Sequence, residues 1–281
     1  MRRLTKRRAA REMFAPLRLI ATVAATLTAF AVHAAPSDTG EKDVPPADAS
    51  APWMLIPLYS HSWLSGGRRD WDTLNVQLLG RAAPQLLIGA FVDAQRRPPD
   101  TDVGVGGSFS WYPVRTLEWR GSAAAVPSAS FLPRQTYVTG LEWRASTLVS
   151  LALDYKRQNF ADGPINQWTP ALTLWLSDET WITGRYTRGR AFGEQDFNAY
   201  AFLLNLGMPG NGRLTLGYAH GADPEKDPGV TGVILTNATT YVAYYRLPLR
   251  RGFDLIVGGE YENRPGIYTR TTGSVGFNAK F

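Results

Sequence analysis

From Trp53 to Phe281 the chain repeats one pattern. Hydrophobic and polar residues alternate in segments rich in Val, Leu, Tyr, Trp, Thr and Gly, separated by turn residues. The final segment shows it clearly. Gly273, Val275, Phe277, Ala279 and Phe281 fall on one face, and Ser274, Gly276, Asn278 and Lys280 on the other, because side chains alternate across a strand with period two. Fourteen such segments are expected, near 53–63, 71–81, 85–96, 102–112, 115–125, 134–144, 147–159, 165–176, 180–190, 197–208, 213–222, 233–247, 253–263 and 268–281. Twelve is the alternative, since the first segment and the one broken by Pro170 carry the weakest pattern.

The connections alternate in length. One set is tight: Ala82-Ala83-Pro84, Pro113-Val114, Ala145-Ser146, Ser177-Asp178-Glu179, PGNG and Leu249 to Gly252. The other is longer and polar: SGGRRD, RPPDTD, Val126 to Pro133, the loop around Ala161-Asp162-Gly163, AFGEQD, DPEKDPGVTG and the Arg264-Pro265-Gly266 turn. Short turns opposite longer loops, with an even number of strands, describe an all-β, antiparallel, up-and-down transmembrane β-barrel. A barrel closes by pairing its last strand with its first, and so leaves no edge. Aromatic residues fall near both ends of the segments, as two girdles about 25 Å apart would require. Trp111, Tyr112, Trp119, Trp143, Trp175, Trp181, Tyr245, Phe253 and Phe281 lie toward the tight turns. Trp63, Trp71, Tyr137, Phe160, Trp168, Tyr218, Tyr261 and Tyr268 lie toward the loops. A soluble β-sandwich is the competing architecture.

The N-terminal region changes the meaning of the charge. Arg2, Arg3, Lys6, Arg7, Arg8, Arg11 and Arg18 face the single acid Glu12, and an apolar run extends from Leu19 to Val32. Val32-His33-Ala34 then supplies small residues for cleavage before Ala35. Residues 1–34 are therefore expected to be a secretory signal peptide, with an apolar stretch too short to span a bilayer as a helix. That segment accounts for the whole formal charge of +6, and residues 35–281 hold 23 basic and 23 acidic side chains. Nucleic acid is thus not an expected partner. Residues 35–52, rich in Pro, Ala and acid, read as a disordered periplasmic tail, and 53–281 as the barrel domain. The bacterial cell outer membrane is the expected location. Outer-membrane lipids and the barrel-assembly machinery are the expected partners, with Phe281 as the insertion signal.

The chemistry must lie on inward-facing positions. With the apolar side of each strand outward, the lumen receives Asn75, Gln77, Glu118, Arg120, Glu142, Arg144, Asp154, Lys156, Arg185, Arg246, Glu260, Glu262 and Lys280. Leu-Glu-Trp-Arg occurs at 117–120 and again at 141–144, on consecutive strands of opposite direction. Glu118 is then positioned to meet Arg144, and Arg120 to meet Glu142, depending on register. A salt-bridged interior that holds the wall together is one reading of these charges, and a solute path is the other.

Catalytic and metal signals are sparse. The chain has no cysteine, so thiolate nucleophiles and sulfur-ligated metals are absent. His61 lies beside Ser60 and Ser62, but neighbours in a strand point to opposite faces, against a Ser–His dyad. His220 stands near another strand end. The Asp223–Gly229 stretch spaces its acids as calcium loops do, yet carries two prolines and no terminal bidentate Glu, and is read as a solvated loop. No catalytic residue, metal site or cofactor is expected.

Several motifs resemble the YaiO-like outer-membrane β-barrel family. They are G-G-R-R-D-W at 66–71, Arg81 with Pro84, the run from Asp102 to Pro113, Ser130-Phe131-Leu132-Pro133 ahead of Gly140-Leu141-Glu142, Pro170, and W-I-T-G-R-Y at 181–186. The resemblance covers most of residues 55–190. It implies an outer-membrane barrel and, from the association of some relatives with surface-polysaccharide genes, polysaccharide-export components as partners. It carries no catalytic residue. The expected function is a non-enzymatic barrel, either a pore for small solutes or a scaffold linked to surface-polysaccharide export. A lipid- or glycan-modifying enzyme near the outer rim is the alternative.

Overall fold

The computed structural model describes residues 53–192, 195–226 and 232–281. The expected signal peptide and periplasmic tail lie outside the described residues. Fourteen strands succeed one another in chain order. The first five are β1 (Met54–Leu64), β2 (Trp71–Ala83), β3 (Leu86–Arg97), β4 (Asp100–Val114) and β5 (Leu117–Ala125). Next come β6 (Gln135–Arg144), β7 (Val149–Phe160), β8 (Gly163–Trp175), β9 (Trp181–Arg190) and β10 (Asp196–Met208). The last four are β11 (Gly212–Glu225), β12 (Ile234–Arg250), β13 (Phe253–Arg264) and β14 (Tyr268–Lys280).

Each strand pairs antiparallel with its sequence neighbours, and β14 pairs with β1 to close the ring. The expected transmembrane barrel of fourteen strands is what forms. The closing seam runs from Met54↔Lys280 to Leu64↔Arg270. On its inner side Ser60 Oγ meets Ser274 Oγ at 2.8 Å, and Ser62 Oγ meets Thr272 Oγ1 at 2.8 Å. Pro170 does not break β8. It faces outward opposite Leu153 of β7, and the ladder to β9 passes over Thr169 and Pro170 because proline has no N–H to give.

Two of the expected longer loops are short. β3 ends at Arg97 and β4 begins at Asp100, and β7 and β8 are parted by Ala161-Asp162 alone. Likewise β11 continues to Glu225, and β12 runs for 17 residues, well beyond the roughly 9–11 that a tilted crossing needs. Strand pairing extends the wall past the bilayer into segments whose proline and aspartate content reads as turn.

Period-two alternation sorts the two faces. Leu151, Leu153, Leu172, Leu174, Phe202, Val257 and Val275 are exposed on the outside, where lipid is their solvent. Trp111, Trp119 and Trp143 lie outside near the tight turns, and Trp63, Tyr137, Trp168 and Tyr261 outside near the loops. Several of the expected girdle residues instead face inward: Trp71, Phe160, Trp175, Trp181 and Tyr268 are buried. Each falls in the parity of the polar face, and nearness to a strand end does not report parity. β1 departs too. Met54, Ile56 and Leu58 are buried inside, while Tyr59 and Trp63 are exposed. The run M-L-I-P-L is apolar on both parities and so gives no sign of which face is which.

Candidate functional site

The inner wall carries two networks of charge. The first lies toward the tight-turn end and contains most of the expected site residues. Glu118, Arg120, Glu142, Arg144, Asp154, Lys156 and Arg185 stand on the inward parity of β5, β6, β7 and β9, either buried or half-buried. Arg120 is the hub. Its Nη2 and Nε donate to Asp154 Oδ1 at 2.7 and 3.1 Å, and its Nη1 to Glu142 Oε2 at 3.1 Å. Glu118 Oε2 lies 3.7 Å from the same Nη1, and Arg185 Nη1 lies 3.8 Å from Asp154 Oδ2.

The expected Arg120–Glu142 pair thus forms, in a register that alternation alone does not give. Glu118 sits directly opposite Glu142, and Arg120 opposite Gly140. Two carboxylates face each other across the pair of strands, and the guanidinium between them offsets the repulsion. Arg144 holds its guanidinium 4.7 Å above the Trp175 ring, a contact that the inward turn of Trp175 makes available.

The second network lies toward the loop end, on β3, β11, β13 and β14. Arg264 reaches Asp223 at 2.6 Å, Glu262 at 2.7 Å and Glu225 at 3.1 Å. Arg270 bonds Glu260 at 2.6 Å and Glu262 at 3.0 Å, and Tyr268 donates its hydroxyl to Glu225. Arg97 Nη1 donates to Glu225 Oε1 at 3.0 Å although β3 and β11 are not neighbours, so this bond crosses the lumen. Arg97 also lies 4.2 Å from the Trp71 ring and 4.8 Å from Phe131. All of these ionic side chains are buried. Of this network, Glu260 is among the expected site residues and Glu262 among the expected inward positions.

Asp223 and Glu225 correct the reading of 223–229 as a solvated loop. They are inward residues of β11, engaged by Arg264 and Arg97; residues 227–229 lie outside the described residues. Among the described residues no cluster of three or more His, Asp or Glu is placed to hold a metal. Sequence reasoning misses Arg97, Arg264 and Arg270, the first two because they abut Pro98 and Pro265, which read as loop. A usable signal is present, since Arg264 continues the parity of Glu260 and Glu262.

A loop segment reaches into the loop end of the barrel. The segment from Val126 to Arg134, between β5 and β6, folds inward and is held by Asp102. Its carboxylate accepts backbone N–H bonds from Ser130, Phe131 and Leu132 at 2.7 to 3.0 Å. Phe131, only 2% exposed, seats beneath Arg97. Also toward the loop end, Phe160, Ile165, Ala191 and Phe197 form an apolar cluster with Phe192, Ala222, Val233 and Leu235. At the other end Met54, Ile56, Leu58 and Ile256 form a second one, with Leu79 and Tyr244 packed against it.

Among the described residues, neither histidine near the rim faces a serine. His61 is on the outer face, its Nδ1 2.8 Å from Asp72 Oδ1, whereas Ser60 and Ser62 are on the inner face and bonded to β14. His220 is also on the outer face, with Nδ1 2.8 Å from Thr239 Oγ1.

Neither a protein-family model nor a curated protein matches the chain. Among solved structures it is similar to the CymD monoaromatic hydrocarbon channel, with a TM-score of 0.60 and 9% identity over 85% of this chain and 91% of that one. It is similar to the TodX deltaS2S3 mutant monoaromatic hydrocarbon channel, with a TM-score of 0.54 and 9% identity over 83% of this chain and 91% of that one. It is also similar to a bacterial polysaccharide outer membrane secretin, with a TM-score of 0.50 and 10% identity over 83% of this chain and 99% of that one. At such identities the likeness is one of fold, and the fold it identifies is that of the outer-membrane β-barrel.

Proposed function

We propose that this chain is a non-enzymatic pore for small solutes in the bacterial outer membrane, with a closed resting state. One observation carries the reading. A loop segment, 126–134, sends Phe131 into the loop-end interior, and one inner-wall carboxylate, Asp102, binds three of its backbone N–H groups. A wall needing only rigidity has no use for a removable cover, whereas a conduit does. The charged inner face of both signs suits passage of polar solutes once the cover moves. The likeness in fold to two hydrocarbon channels supports a conduit. Membership of the YaiO-like family is part of the same proposal, as are a cleaved signal peptide and insertion by the barrel-assembly machinery. Conductance in planar bilayers tests the reading. Rare, brief openings of the native protein and sustained ones after removal of residues 127–132 are expected; a silent barrel in both states excludes the pore.

A second reading, a role in surface-polysaccharide export, draws on the family resemblance and on the fold shared with the polysaccharide secretin. Loss of surface polysaccharide in a deletion strain, with no conductance from the purified barrel, would favour it.

A further inference from the structure

We propose that the outer face of β7, β8 and β9 at the loop end is a docking surface for the phosphate-bearing headgroup of lipid A, the outer-leaflet glycolipid. This goes beyond the pore and stands without it, since it rests on the outer-membrane barrel alone.

The first observation is where the positive charge lies. Among the described residues, the outward Arg and Lys side chains on the loop half of the strands are Arg96, Arg157, Arg188 and Arg190. Arg96 is bound to Asp72 through two of its N–H groups. The other three gather on adjacent strands, in two rows. Arg157 of β7, Asn166 of β8, Arg190 of β9 and Asp196 of β10 are in register and form the upper row. Tyr155, Trp168, Arg188 and Asn198 form the row beneath. Arg157 and Arg190 thus stand at one height, two strand spacings or about 10 Å apart. All three guanidiniums are exposed, with the Arg188 side chain at 70% and Arg190 at 61%.

Acid does not cancel this charge among the described residues. Asp196 lies 3.0 Å from Arg190 and 3.5 Å from Arg188, one carboxylate beside three guanidiniums. Asp162, in the turn between β7 and β8, is engaged by Lys226 at 2.9 Å. Arg157 is also held in place: its Nε donates to Asn159 Oδ1 at 3.0 Å, and Asn159 Nδ2 donates to Gln135 Oε1 at 3.2 Å.

The second observation is what lies beneath. The Tyr155 and Trp168 rings sit 4.7 Å apart, and the Tyr155 hydroxyl donates to Asn166 Oδ1 at 2.7 Å. Such rings mark the membrane boundary. One outward position further, about 7 Å along the strand, Leu153 is exposed to acyl chains, with Leu172 beside it on β8. The upper row therefore stands in the headgroup layer, above an aromatic shelf and an apolar wall. Loop ends of such barrels face the outside, so the lipid met here is that of the outer leaflet. Guanidiniums take phosphate through paired N–H bonds. A headgroup with two separated phosphates can engage Arg157 and Arg190 together, which a lipid with one phosphate cannot.

Native mass spectrometry of the purified protein in detergent, titrated with bisphosphorylated lipid A, tests the surface. Heat-modifiable migration verifies that each variant folds. Each arginine beside an anionic lipid is worth roughly a fivefold gain in affinity, so combined Arg157→Gln, Arg188→Gln and Arg190→Gln should weaken binding on the order of a hundredfold. A charge-matched control at the exposed tight-turn end, Arg115→Gln with Arg250→Gln and Arg251→Gln, should bind as the native protein does. Asp196→Asn, which removes the competing carboxylate, should bind more tightly. Arg157→Gln alone, with a loss of roughly fivefold, decides the matter where the triple variant does not fold. Native affinity in the arginine variants, equal loss in the control, or weaker binding by Asp196→Asn overturns the proposal. So does equal affinity for dephosphorylated lipid A or for phosphatidylglycerol. Conductance plays no part in these measurements, so failure of the pore leaves the docking surface standing.

Discussion

Arg120 and Asp154 meet across an intervening strand. They belong to β5 and β7, and both are in register with the same residue of β6, Gly140. Glycine is required there, because a Cβ would fall 1.9 Å from Asp154 Oδ1 and 3.3 Å from Arg120 Nε. Gly140→Ala is expected to break the bridge and destabilise the barrel, whereas Gly184→Ala, where the nearest atom would be 3.6 Å away, should be tolerated. Urea unfolding in lipid vesicles compares the two.

The hub itself gives a second expectation. Arg120→Ala leaves Asp154, Glu142 and Glu118 without their shared cation, and removal of one partner from a buried ionic network costs about 3–5 kcal/mol. Glu142→Arg should also destabilise the barrel. Adding Arg120→Glu should rescue part of that loss, since the new carboxylate pairs with the guanidinium introduced on β6 but also stands beside Asp154. A double-mutant cycle measures the coupling, and strict additivity would exclude the pairing.

How much of this is readable in the chain depends on which signals are local. Fourteen strands and their order are legible because alternation and turns repeat within a few residues of one another. The inward parity of Glu118, Arg120, Glu142 and Arg144 is legible for the same reason. Which of them touch is not, because register sets Glu118 against Glu142 and no local pattern encodes register. The loop-end network is hidden more deeply. Arg97, Asp223 and Arg264 stand beside prolines, where composition reads as loop while strand pairing continues.

The loop cover yields a third prediction. Asp102→Ala removes the acceptor for three backbone N–H groups and should release the 126–134 segment without unfolding the wall. The expected results are longer open times in planar bilayers and protease cleavage within 127–133. Conductance and cleavage identical to the native protein would show that the carboxylate does not hold the cover.

The lipid face yields a fourth. Leu153 is exposed near the middle of β7, and Leu153→Arg should cost about 2–4 kcal/mol, as a charge near the bilayer midplane does. Trp143, exposed near the tight-turn boundary, should tolerate Trp143→Phe, and Trp143→Arg should cost about 0–1 kcal/mol. Equal costs at the two positions would place the membrane elsewhere on the wall.

The proposed insertion signal yields the last. Phe281 is 70% exposed and anchored through its N–H to Trp53 O. Its deletion, or Phe281→Asp, should lower the folded fraction recovered from outer membranes, read by heat-modifiable migration. An unchanged fraction would remove Phe281 from that role.

The Arg97–Glu225 bond is a chord, tying together two points of the ring that lie far apart along its circumference. A ring braced only through its rim can flatten into an ellipse at little cost to its hydrogen bonds, and a chord resists that flattening. It also reports completion. The two ends of a chord come within reach only when the curvature of the whole wall is right, so a sheet still open at its seam would leave Arg97 without its carboxylate partner. Arg97 also seats Phe131, so closure of the wall and seating of the loop segment share one side chain, and the finished barrel is favoured as one object rather than strand by strand.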